Sequence, residues 1–117
     1  MNYLRERLAT MTPEELKTES FEREIEEWRT ANGRSCVAIS EYGAGGSLGQ
    51  PMPSPDYRPQ PGGKCHPLDY QLKHHQASWA AIKSNPHVWG CFAWVMFDAG
   101  SDNRHEGARD GLNDKGL

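Results

Sequence analysis

Ten consecutive residues, Val88-Trp89-Gly90-Cys91-Phe92-Ala93-Trp94-Val95-Met96-Phe97, carry no charged side chain and no polar alternation. A half-exposed strand alternates polar with apolar positions, so an unbroken run predicts a strand of a parallel sheet covered on both faces. Positions 88–97 are read as that strand, and Asp98 ends it. The run is about half as long as the roughly 20 residues that span a bilayer. The start, Met1-Asn2-Tyr3-Leu4-Arg5-Glu6, has no apolar stretch of signal-peptide length. No membrane segment or secretory leader is expected, which leaves localisation open between cytoplasm and periplasm.

Around this run the chain alternates its signals. Thr12-Pro13-Glu14-Glu15 has the form of a capping box with proline at the first helical position. Phe21, Ile25, Trp28 and Ala31 follow at helical spacing, and Asn32-Gly33 supplies a left-handed stop. Cys36-Val37-Ala38-Ile39 is short, apolar and bounded by glycines, so positions 35–40 read as a second buried strand, ending at Ser40-Glu41. Positions 43–67 hold six glycines and six prolines in 25 residues. That density excludes a helix and a central strand and predicts a long loop, starting where a strand ends in a carboxylate. A helix over 68–84 comes next, with Leu72, His75, Trp79 and Ile82 on one face, until Asn85-Pro86 stops it.

The order helix, strand, loop, helix, strand, loop is a βαβ crossover preceded by a helix, an α/β unit. Two parallel strands do not make a stable sheet by themselves. The unbroken apolar run therefore predicts that residues 1–117 are a fragment whose remaining neighbours lie elsewhere. In barrels built of βα units, catalytic groups stand at the C-terminal ends of strands, the position of Glu41 and Asp98 here. A lone carboxylate there commonly caps or pairs. The sequence Glu41-Tyr42-Gly43-Ala44-Gly45-Gly46 adds a flexible backbone that allows close approach by a ligand. Trp94, near the top of its strand, is core on pattern alone, yet an aromatic face in that place can lie against a sugar ring. Asn113-Asp114-Lys115-Gly116 reads as a polar turn placed where a ligand contact is open to it.

Other classes of chemistry find little support. A net charge of -3 and a pI near 5.9 give no reason to expect nucleic acid as a partner. Cys36, Cys65 and Cys91 are far apart, so reduced thiols are expected rather than a disulfide framework or zinc knuckle. His66, His74, His75, His87 and His105 show no convincing metal-ligand spacing, and no metal site is predicted. No phosphate loop, nucleophile elbow or HExxH motif is present.

Five blocks in order, Ile39-Ser40-Glu41-Tyr42-Gly43-Ala44, His74-His75-Gln76, Trp89-Gly90 with Phe92 to Asp98, Asp102 to Gly107, and Asn113 to Leu117, resemble bacterial glycoside hydrolase family 2 enzymes of the β-galactosidase type. The resemblance covers residues 20–117. It implies a partial (β/α)8 TIM barrel, with the last two βα units present as strands 7 and 8. It also implies retaining hydrolysis of terminal non-reducing β-D-galactose residues. Glu41 would be the catalytic nucleophile, Trp94 and Asp98 would wall and support the sugar site, and Asn113 and Lys115 would reach the sugar's polar edge. No cofactor is certain, and magnesium or sodium stays open for the full-length parent. The family's acid/base glutamate follows an asparagine, and this sequence has no Asn-Glu pair. The missing N-terminal barrel portion is therefore the expected partner, and the fragment alone is expected to be inactive. The Asn113-x-Lys115 pattern also resembles the motif with which family 2 β-glucuronidases hold a sugar carboxylate, which makes β-glucuronidase the alternative activity. A truncated sugar-binding or interaction piece is the non-enzyme alternative.

Overall fold

A computed structural model describes residues 21–117; the expected cap at Thr12-Pro13-Glu14-Glu15 lies outside them. Helix α1 (Phe21–Ala31) ends at Asn32-Gly33, where Gly33 takes φ 70° and Arg34 φ 60°. The Arg34 amide donates to the Arg29 carbonyl at 2.6 Å, the long bond of a Schellman turn. The Arg29 side chain is buried. It donates to the carbonyls of Arg34 and Ser35, both at 3.3 Å, and to Glu26 at 2.5 Å. One guanidinium thus ties the helix end to the chain entering the first strand.

Strand β1 (Val37–Tyr42) is followed by helix α2 (Leu68–Ser84) and strand β2 (Val88–Ala93). β1 and β2 pair in parallel, with Val37 opposite Val88, Ala38 opposite Gly90, Ile39 opposite Cys91 and Tyr42 opposite Ala93. A short antiparallel pair, β3 (Ala99–Gly100) and β4 (Leu112–Asn113), closes the chain. Ile25 of α1, Val37 and Ile39 of β1 and Ile82 of α2 form the buried apolar cluster, flanked by Tyr42, Ala77, Ala81, Val88 and Cys91. None of the helices among the described residues is long and apolar enough to cross a membrane.

The bounds of both expected strands are corrected. The strand expected over 35–40 runs Val37–Tyr42, so Glu41 lies within it rather than just beyond. The Trp94 amide donates to the Tyr42 carbonyl at 2.8 Å, which extends the pairing past Ser40. The strand expected over 88–97 stops at Ala93. Past it, the Trp94-Val95 peptide is cis, and the hydrogen-bond partner changes. Val95 N donates to the Lys115 carbonyl at 2.9 Å, and Leu117 N to the Met96 carbonyl at 3.4 Å.

The face of α2 differs as well. Tyr70, Gln71, His74, Ser78 and Ile82 are buried, whereas Leu72 and Trp79 are about half exposed. Residues 70, 74, 78 and 82 form one row at helical spacing. The polar members of the face have partners, as buried polar groups require: Gln71 reaches two carbonyls, and Ser78 Oγ lies 3.4 Å from His74 Nδ1. Among the described residues, β2 and the chain after it are not covered on both faces: Trp89 is 73% exposed, Phe92 64% and Phe97 73%.

Candidate functional site

Because β1 and β2 are parallel, their C-terminal ends lie side by side, and the segments leaving them meet. Glu41 stands one residue before Tyr42, whose carbonyl receives the Trp94 amide. Val95 binds the main chain of Lys115, and the Gly116 amide donates to Asp98 Oδ1 at 2.8 Å. Asn113 pairs with Ala99, next to Asp98. Main-chain contacts thus bring the segments of Glu41, Trp94, Asp98, Asn113 and Lys115 to one end of the sheet.

The turn out of β1 needs glycine. Gly43 has φ 145°, and a Cβ there would lie 2.6 Å from the Trp94 carbonyl oxygen and 3.2 Å from His75 Cε1. His75 stacks edge-on to Tyr42, with ring centroids 5.6 Å apart. Burial pushes the His75 imidazole below its usual value, favouring the neutral ring, and raises the Tyr42 phenol, with Cys91 adding to the rise.

Behind this end lies a polar hub that the sequence reading passed over. The Asp114 side chain is almost wholly buried, at 4% exposure for the residue. Its Oδ2 accepts from Ser47 Oγ and His66 Nδ1, both at 2.7 Å, and its main-chain carbonyl accepts from Gly46 N at 2.8 Å. Oδ1 has no hydrogen-bond partner among the described residues, and a Cβ on Gly45 would lie 2.8 Å from it. Ser47 Oγ in turn accepts from the Ala108 amide at 3.2 Å, while Ser47 N donates to the His66 carbonyl at 2.7 Å. Burial by itself would raise the Asp114 carboxyl. The hydrogen bonds from His66 and Ser47 and the charge of His66 outweigh it and hold the group below the ordinary carboxylate range.

Two further ties complete the arrangement. Gln71 Nε2 donates to the Ala44 carbonyl at 3.1 Å and to the Gly116 carbonyl at 2.8 Å. Lys115 Nζ lies 3.8 Å from Glu106 Oε1, and Glu106 also accepts from Arg104, whose Nε approaches to 2.9 Å. Two cations thus share one carboxylate. The available signal for Asp114 was its place between two residues read as sugar contacts; for Ser47, His66 and Gln71 no spacing in the chain gave one. Among the described residues no group of three or more His, Cys, Asp or Glu side chains is placed to hold a metal ion. The three cysteines are unbridged.

No protein-family model matches the chain. Over 81 residues it is 46% identical to a protein named β-glucuronidase from Bacteroides fragilis, an alignment covering 69% of this chain and 12% of that protein. Its fold matches the crystal structure of an FMN-binding β-glucuronidase from Facaelibacterium prausnitzii L2-6, with a TM-score of 0.62 and 28% identity, over 80% of this chain and 14% of that one. The chain therefore spans about an eighth of the length of the relatives it matches. In sequence and in fold it is similar to one segment of glycosidases, both of which carry the name β-glucuronidase.

Proposed function

We propose that this chain supplies the nucleophile-bearing end of a retaining exo-β-glycosidase that acts on β-glucuronides, as the last two βα units of a (β/α)8 barrel. The observation that carries the reading is the 46% identity to a β-glucuronidase. It favours the glucuronide over the galactoside that the sequence resemblance put first. The charge around Lys115 supports the same choice. An ammonium is a natural partner for a carboxylate, which a glucuronide carries and a galactoside lacks.

In this reading the Glu41 carboxylate attacks the anomeric carbon while an acid from another part of the barrel protonates the leaving oxygen. Water then releases the sugar from Glu41 with retention, the two carboxyls standing ~5 to 5.5 Å apart. Trp94 would face the ring, Asp98 would support the Gly116 turn, and Asn113 with Lys115 would hold the sugar's acidic edge.

The test is hydrolysis of 4-nitrophenyl β-glucuronide and β-galactoside by the intact protein, the full-length parent that carries this chain. Glu41→Gln is expected to lower kcat by a factor on the order of 10⁴. Lys115→Ala should cut kcat/KM on the glucuronide about 100-fold, the loss of roughly 1.5–3 kcal/mol from a charged hydrogen bond, and leave the galactoside nearly unchanged. Activity of Glu41→Gln within tenfold of the parent would sink the nucleophile assignment. Equal losses on both sugars in Lys115→Ala would remove the glucuronide preference.

A further inference from the structure

The segment that carries Asn113 and Lys115 is gripped by a residue that reaches neither the strand end nor any expected sugar contact. We infer that Asp114 is the positioning residue that sets Asn113 and Lys115 for an acidic sugar, acting through Ser47 and His66 of the loop that follows Glu41. This role rests on the glycosidase reading above.

The geometry is specific. Asp114 lies between the two residues it would position, and its carboxylate is fixed inward by the loop. Seating Asp114 inward therefore fixes the main chain from which both neighbours project. A single oxygen, Oδ2, takes both Ser47 Oγ and His66 Nδ1, while the Asp114 carbonyl takes Gly46 N. Loop and segment are thereby joined at three points within one residue's reach, the first of them at Gly46, close after Glu41 on the loop side. Gly45 packs against the same carboxylate with no room for a side chain. On the far side the Lys115 carbonyl is held by Val95 N and its ammonium is oriented by Glu106. Lys115 is thus held in main chain by Val95 and in side chain by Glu106, and Asp114 fixes the residue before it.

An apolar side chain could fill the space of Asp114 without the desolvation that a carboxylate suffers. It could not hold two points of the loop from one atom. Loss of the grip should therefore disturb the placement of Lys115 before it disturbs the fold, and the effect should depend on the charge of the sugar.

The experiment compares KM and kcat of the intact protein on 4-nitrophenyl β-glucuronide and β-galactoside in Asp114→Ala, Asp114→Asn and Ser47→Ala. Asp114→Ala is expected to raise KM for the glucuronide about tenfold and that for the galactoside by less than about twofold. Asp114→Asn keeps an acceptor for Ser47 and His66 and should restore the glucuronide KM to within about threefold of the parent. Ser47→Ala, which removes one of the two donors, should shift KM in the same direction by a smaller factor, and it decides the question if Asp114→Ala does not fold. A purely structural role would lower the active fraction, and so kcat on both sugars alike, with KM unmoved; that result overturns the inference. Absence of hydrolysis of either glycoside by the unaltered full-length parent would overturn the glycosidase reading itself and this role with it, an outcome distinct from an active parent whose KM ratio does not move.

Discussion

At Gly43 the main chain leaves β1 with a positive φ and passes against the carbonyl of Trp94. Any side chain there must push the strand end away from the residue expected to face the sugar, and it would sit in a backbone region that L-residues avoid. Gly43→Ala is expected to lower stability by about 2 kcal/mol, read as a shift in the urea midpoint at constant slope, and to depress turnover through displacement of Trp94. Residue by residue, the sequence was informative where the chemistry is local. Glu41 stood out because a carboxylate at a strand end was followed by glycines. Asp114 did not, since its partners are 67 and 48 residues away along the chain and no periodicity links a serine, a histidine and an aspartate at such separations. Nor could hydropathy show that the same carboxyl would be held in its charged form by two donors despite burial.

Among the elements, α2 shows how span and orientation are set by different physics. Its ends follow from Pro67 before it and Asn85-Pro86 after it, features that act within one turn. Its inward face was misjudged because Leu72 and Trp79 are apolar and His74, Gln71 and Ser78 are not. Hydropathy gives no credit for a buried glutamine whose amide can serve two carbonyls. Ile82 belongs to both the expected and the observed face and seals α2 against Ile25, Val37 and Ile39. Ile82→Ala should therefore destabilise the protein by about 3 kcal/mol, measured by chemical denaturation. Leu72→Ala, on the more exposed side, should cost well under half of that. An equal effect of the two substitutions would show that the helix packs in the orientation hydropathy suggested.

Across the whole molecule, the apolar run that dominated the sequence is only partly used. β2 pairs with β1 along one edge and shares a core with the helices, while Trp89, Phe92 and Phe97 stay exposed in this chain. The parallel crossover was legible from the order of elements. The short β3–β4 pair was not, because two-residue strands held by a few main-chain bonds leave no hydropathy pattern. Residues 1–117 produced alone are expected to bind a hydrophobic dye strongly and to show no glycoside turnover above their Glu41→Gln counterpart. Weak dye binding together with clear turnover would contradict both expectations. The segment 113–116 is fastened by the carbonyls of Asp114 and Lys115, the amide of Gly116 and the Asp114 carboxylate, and none of these bonds uses the side chain at 113 or 115. Under the proposed function, anchoring and recognition would therefore be encoded at different positions. A lineage of such proteins could then exchange the two outer side chains, and with them the sugar it accepts, while inheriting the fastening unaltered.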